Sequence, residues 1–386
     1  MRRGETHRCL AVTPPGVEEL TAAELTALAI PLRRTFRGGV EFSATDRQLY
    51  AANLWSRTAT RFVVRLARFE APSFADLERE LAAIAWDRWI PGGTGPEVRV
   101  SSTSSRLYHT EAVAERVGEA AASGSGHGPL VVVRVVHDRV MVSVDSSGAP
   151  LHQRGWRLDG GQAPLRETLG AAMLLGSGWD PSTPLIDPLC GSGTIPIEAA
   201  LLATGRPPGA GRRFGFQDWP TFAPGTWASV TASSAPLPPP ASVPPIRGSD
   251  RDRAAVTAAR ANAARAAVGD AVTFSPAPLS TVTASGDVPG WIVTNPPYGK
   301  RVSSDDLRRL YAQLGEVARD RFAGWTVALL VADPGAARAT GLPLQTRLRT
   351  VNGGIPVHLL VGPVPVRSAH GPHDHRRRSG DGRLAH

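Results

Sequence analysis

Cysteine is almost missing from this chain of 386 residues; Cys9 and Cys190 are the two present. Two thiols in a chain this long exclude a disulfide scaffold and fit a reducing compartment. Neither cysteine has a partner at zinc-finger spacing, so no metal is expected. Long apolar runs are missing too, since none approaches the roughly 18 residues that a membrane span requires. The opening MRRGETHRCLAV has no extended apolar stretch, so a secretory signal is not expected. These absences predict a cytoplasmic protein without membrane partners. Lysine is scarcer still: Lys300 is the single one among 43 basic residues.

What is present is arginine, with a formal net charge of +9 and a pI near 10.7. Such a balance favours a polyanionic partner, because arginine neutralises phosphates and releases their counterions. Compositional bias toward Arg and Ala explains the same excess, so charge alone does not decide for a nucleic acid. A hydrophobic content of 42% is enough to fill the cores of two or three domains.

Periodicity divides the chain. TPPGVEELTAAELTALAI reads as a helix with Val17, Leu20, Leu25 and Leu28 on one side, and RTFRGGVEFSA as a strand pair. With the capped helix at TDRQLYAANLW, these give a small α/β unit over residues 1–55. A second unit, residues 56–150, holds the amphipathic helix SFADLERELAAIAW and two β-rich runs around His137-Asp138, the mark of a hairpin. Arg61, Arg65, Arg68, Arg99 and Arg106 scatter through it and can line an RNA-facing surface or stand as ordinary solvated charges.

From residue 151 to 366 strands alternate with helices, the signature of a doubly wound, mostly parallel sheet. An insertion at about 223–245 interrupts this unit and is too Pro/Ser-rich to fold alone. The basic end, residues 367–386, reads as disordered.

Chemistry concentrates in the third unit. LIDPLCGSGT joins a strand to a helix through small residues, where Gly191 and Gly193 let backbone approach a ligand. GxGxxG is not completed and no phosphate-gripping lysine follows, so a dinucleotide fingerprint is excluded. Asp250, at the end of IRGSD, stands where an acid grips a ribose diol. It lies 59 residues beyond Gly191 instead of the usual roughly 20, and the insertion accounts for the excess. The apolar WIV then runs into TNPPYG, where two prolines stop a sheet abruptly.

Taken jointly, DPLCGSGTIPIEAALLA, GRRFGFQDW, GSDRDRAAVTAARANA and TNPPYGKR resemble the bacterial THUMP-domain guanine-N2 methyltransferases of 23S rRNA. AVTPPGVEEL, NLWSRTATR and DSSGAPLHQRGWR extend the likeness over most of residues 8–362. The resemblance implies a class I (Rossmann-like) methyltransferase domain with a seven-stranded sheet. Before it come a ferredoxin-like domain and a THUMP RNA-binding module. It implies S-adenosylmethionine as cofactor and RNA as partner, 23S rRNA first and tRNA as the alternative. Carried over, Asp187, Gly191 and Gly193 cradle the methionine part, Cys190 is the small residue of that cofactor-binding loop, Pro164 and Leu165 close the methionine end, and Asp250 takes the ribose hydroxyls. One departure stands out: VTFSPAPLSTV offers Ser275 and Ser280 but no acid for the adenine amine.

The same resemblance assigns catalysis to Asn295, Pro296, Pro297 and Tyr298, with Asn295 also near the cofactor. A guanine amine is a weak nucleophile because its lone pair is delocalised into the ring. The Asn295 side-chain oxygen and the Pro296 carbonyl can hold its N–H groups, fixed beforehand by the stiff Pro-Pro corner. Tyr298 offers a face for a base taken out of its stack. Lys300 can meet an RNA phosphate or be a plain surface cation. The rival readings are methylation of a DNA adenine or a protein glutamine, which the THUMP-like half disfavours, and an RNA-binding protein that has lost catalysis.

Overall fold

In the computed structural model, residues 5–366 are described, save 122, 123, 125, 159–164, 237, 285, 287 and 299–303. Pro164, Lys300 and the basic end 367–386 therefore lie outside the described residues. Two seven-stranded sheets organise the chain.

The first sheet is built from β1 (Thr6–Val12), β2 (Leu32–Phe36), β3 (Gly39–Thr45), β4 (Arg61–Glu70), β5 (Thr94–Thr103), β6 (Gly126–Val136) and β7 (Arg139–Asp145) in the order β2-β3-β1-β4-β7-β6-β5. Helices α1 (Glu18–Ala27), α2 (Asp46–Trp55), α3 (Phe74–Ala82) and α4 (Thr110–Ala121) pack on it. Local chemistry sets these elements. Thr45 caps α2 in a reciprocal pair with Gln48, and Ser73 caps α3. His137 and Asp138 both take positive φ in the β6–β7 turn, which matches the twist of a two-residue hairpin. Val131, Val133 and Val135 alternate inward along β6 into the core. Because β1 pairs with both β3 and β4, and β4 goes on to pair with β7, the two units read from the sequence share one continuous sheet.

The second sheet comprises β8 (Leu185–Asp187), β9 (Ile246–Asp250), β10 (Thr273–Pro276), β11 (Trp291–Thr294), β12 (Thr326–Val331), β13 (Gln345–Asn352) and β14 (Ile355–Pro363) in the order β10-β9-β8-β11-β12-β14-β13. The first five are parallel, and β14 runs antiparallel to β12 and β13. Around it lie α5 (Glu167–Ser177), α6 (Thr194–Ala203), α8 (Arg253–Arg265), α9 (Ser304–Arg321) and the short α10 (Pro334–Ala337), with α7 (Pro224–Thr231) elsewhere.

Helix α7 gives the first part of the Pro/Ser-rich segment 223–245 a regular structure packed against other parts of the chain. Pro224 sits in the first turn, where a missing N–H costs nothing. Trp227 and Val230, three apart, share a face. They pack with Phe214, Phe216 and Trp219 into the core of the first sheet, where Phe216 stacks on Tyr50 at 4.2 Å between centroids. Arg47 of α2 donates to Ser229 at 2.6 Å. The segment does not fold alone; its partners include residues from the other half of the chain.

Two further contacts fasten the halves. Helix α1 spans both cores, Leu25 in the first and Val17 in the second. Just before it, Gly16 has φ +91°, and a Cβ there would stand 1.8 Å from the carbonyl oxygen of Arg349 on β13. Only glycine lets this loop rest on that strand. Beneath the interface, the buried Arg154 donates to Glu198 of α6 at 3.3 Å and to the Arg57 carbonyl at 2.6 Å. Arg57 donates to the Arg206 carbonyl at 2.7 Å and stands 3.9 Å from the other Glu198 oxygen.

The arginines proposed for an RNA face separate in the same way. Arg61 is a correction: it is largely buried, paired to Asp145 at 3.1 Å, and braces the sheet. Arg65 is half-buried against Ser143 and Glu41. Arg68, Arg99 and Arg106 remain exposed.

Candidate functional site

Strands β9, β8 and β11 are parallel neighbours, so their C-terminal ends bring Asp250, Asp187 and Asn295 to one edge. Ligands of open α/β sheets bind at that edge. Asp187 is buried and accepts from Thr294 Oγ1 at 2.6 Å and from the Leu189 amide at 3.1 Å, both on Oδ1. Among the described residues no donor reaches its Oδ2. Burial pushes the Asp187 carboxyl up to about 7, Asp250 adds to the rise, and the two hydrogen bonds oppose it.

The glycine loop is held from several directions. Asp250 accepts the Gly191 amide at 3.0 Å on one oxygen and the Asp252 amide at 3.0 Å on the other. This carboxylate therefore shapes the loop and the start of α8, beyond the ribose contact expected of it. Gly191 takes φ +51° and a Cβ there would meet open space, as suits a backbone that faces a ligand. Gly193, at φ +89°, is wanted for packing instead, because a Cβ would press on Phe274 and Ala259. Cys190 is buried, and burial raises its thiol far above the usual range, so it is no nucleophile.

Arg157 is the residue that sequence reading passed over. Its guanidinium donates to Glu167 (2.7 Å), Ser192 Oγ (3.0 Å), Thr194 Oγ1 (2.6 Å) and the carbonyl of the buried Leu165 (3.1 Å). It thus ties the glycine loop to the segment expected to close the methionine end. Asn262, wholly buried on α8, donates to the Ser192 carbonyl at 3.1 Å. The available signal was a lone amide within an otherwise Ala-rich helix, where a buried polar group must have a partner.

At the third strand end, Thr294 is committed to Asp187, and Asn295 follows. Its Oδ1 is buried, yet no donor reaches it among the described residues. A buried amide oxygen without a donor costs about 1–3 kcal/mol and calls for a functional reason. Pro296 is buried and Pro297 exposed, which fixes the corner. Tyr298 is half-buried, and its hydroxyl accepts from Asn352 Nδ2 at 2.6 Å. Asn352 closes β13, and sequence spacing gave no hint of the pairing. Ser275 lies on β10 opposite Ser249.

Residues 154–359 match the RMKL-like methyltransferase domain, more than half of the chain. The chain belongs to that family. Ahead of its RMKL-like domain, residues 8–63 match the RlmL ferredoxin-like domain. A curated relative, the ribosomal RNA large subunit methyltransferase K/L of Vibrio campbellii, is 35% identical over 93% of this chain and 54% of its own length. The chain thus spans about half the length of the curated relatives it matches. Among solved structures, a possible methylase from Clostridium difficile 630 superposes with a TM-score of 0.85 at 29% identity, covering 94% of this chain and all of that one. SMU.472, a candidate methyltransferase complexed with SAH, gives 0.82 at 26% identity, covering 94% and 99%. For this RMKL-like chain, no described helix is long and apolar enough to cross a membrane.

Proposed function

We propose that this protein uses S-adenosylmethionine to methylate the exocyclic N2 amine of a guanosine in 23S rRNA. The observation that carries the reading is the buried Asn295 Oδ1, which receives no donor among the described residues, at the edge where Asp187 and the glycine loop converge. An amine N–H is the donor that this acceptor fits. The curated K/L relatives, named as large-subunit rRNA methyltransferases, support the RNA class.

The cofactor supplies an electrophilic methyl group on a sulfonium. The residues present fit it: Gly191 opens onto free space, and Asp187 Oδ2 has no donor among the described residues. Asp187 would hold the methionine ammonium, Asp250 the ribose, and Leu165, steadied by Arg157, the methionine end. Asn295 Oδ1 and the Pro296 carbonyl would accept the two N–H groups of the target amine and turn its lone pair toward the methyl. No strong base is required, because the methylated nitrogen is acidic and loses its proton to solvent. Tyr298 would stack on the extruded base while Asn352 keeps its ring from turning. Residues 56–150 would serve as the THUMP module, with Arg68, Arg99 and Arg106 on its phosphate-facing side.

The test is nucleoside mass spectrometry of 23S rRNA and tRNA from a deletion strain. One N2-methylguanosine should vanish from 23S rRNA and return when the purified protein and cofactor are added. Loss from tRNA instead would move the substrate, and unchanged methylguanosine in both would overturn the reading.

Asp187 makes cofactor binding pH-dependent. Below about pH 7 its carboxyl is protonated in the free protein. A bound ammonium favours the carboxylate, so binding in that range must expel a proton. Affinity should therefore rise about tenfold per pH unit up to that value and then level off. Calorimetry in two buffers of different ionisation enthalpy reads the released proton directly. Asp187→Asn should abolish the release; a flat affinity between pH 5.5 and 8 would remove Asp187 from the site.

A further inference from the structure

We infer that the β13–β14 hairpin is a wedge that enters the RNA stack where the target base leaves it. The inference rests on the RNA reading above. At the tip, Gly353 and Gly354 both take positive φ, which makes a tight two-residue turn. Beside this turn stand Val351 and Ile355, 39% and 40% exposed, with the exposed Pro356 next in line. An edge strand guarded only against self-association carries charge at such places. This one keeps its charge lower down, at Arg347 and Arg349, both exposed and without an ion pair among the described residues. An apolar tip over two free cations complements unstacked bases above and flanking phosphates below.

Its position relates the tip to the candidate site. Asn352, between Val351 and the turn, is the residue that donates to the Tyr298 hydroxyl at 2.6 Å, so the apolar tip is tied to that ring. Three residues back along the strand, the Gly16 loop of the first domain rests on the Arg349 backbone. A wedge must be stiff to displace bases, and this hairpin is fixed at both places. Proteins that unstack nucleic acid insert apolar side chains between base steps, offsetting a stacking loss of a few kcal/mol. Flipping enzymes face the same cost, which is least for a base that is already unpaired.

The experiment compares single-turnover methyl transfer by the full-length protein on two oligonucleotides that carry the mapped site. One is a hairpin with the target guanine paired; the other lacks the opposing strand. Val351→Ser/Ile355→Ser should slow transfer to the paired target by at least about tenfold and leave the unpaired target near the parent rate. Arg347→Ala/Arg349→Ala should make the log-log salt dependence of RNA binding shallower by about 2, close to one per phosphate contact. Equal rates for parent and serine variant on the paired target would overturn the wedge while leaving the methyltransferase reading intact. Failure of the parent to methylate either oligonucleotide would overturn both. An equal loss on both oligonucleotides would also sink the wedge, since it would mean a general role in binding or folding.

Discussion

Asn295→Ala should lower single-turnover methyl transfer by about 10²–10³ while cofactor affinity stays close to the parent value. The magnitude follows from removal of one preorganised polar contact that acts on the reacting group in the transition state. The structure sharpens the expectation because Asn295 Oδ1 has no competing protein donor among the described residues. Its acceptor capacity is unspent among the described residues, so no described hydrogen bond to Oδ1 is lost with it. Alanine should accordingly leave the melting temperature unchanged or slightly higher, the reverse of a residue kept for stability. Tyr298→Ala should weaken base capture by roughly 1–3 kcal/mol, and Tyr298→Phe, which keeps the ring and loses only the Asn352 bond, should be milder. Measurement under single-turnover conditions prevents product release from masking the chemical step. Transfer at the parent rate by Asn295→Ala would reduce TNPPYG to a turn.

Glu198→Ala should destabilise the protein by about 3–5 kcal/mol, the range for breaking a buried ion pair from one side. Glu198 is wholly buried between Arg154 and Arg57, and its removal strands two guanidinium groups that reach it from outside α6. Burial holds the Glu198 carboxyl above its usual range even with both cations beside it, so desolvation already opposes the network. Urea denaturation followed by tryptophan fluorescence gives the loss directly. The triple change Glu198→Leu with Arg154→Met and Arg57→Met should recover most of it, because it removes the charges together. A single variant within about 1 kcal/mol of the parent would mean that water or backbone carbonyls already satisfy both arginines.

The parts of the site legible in the sequence were those with unusual local chemistry. Two glycines after a strand, an acid at a strand end and a double proline each constrain the backbone wherever the chain goes. Their convergence then followed from the strand order of a doubly wound sheet. What stayed hidden depends on partners remote in sequence. Asn352 lies 54 positions from Tyr298, and nothing in VNGGIP distinguishes a hairpin tip from one that orients an aromatic ring. Arg61 and Arg68 look alike on paper, yet one is buried against Asp145 and the other faces solvent. Arg157 sits in RGWR, which reads as one more basic patch until its four acceptors are seen around it. Among the fold elements, α7 escaped because its apolar face is completed by Tyr50 and Phe216.

That same helix has a consequence for synthesis. The core of the first sheet is completed by Phe214, Phe216, Trp219 and Val230, all made well after the last strand of that sheet, which ends at Asp145. While the ribosome is between those points, the N-terminal half must wait with its apolar interior open. It can close only after Asp187 and the glycine loop have also emerged. Strictly vectorial folding, one domain and then the next, would leave this core incomplete until residue 230 is made. A cut near residue 151, where the sequence pattern changes, would leave the catalytic half carrying aromatic side chains that belong to the other. The two halves are separable as motifs but interdependent as folding units.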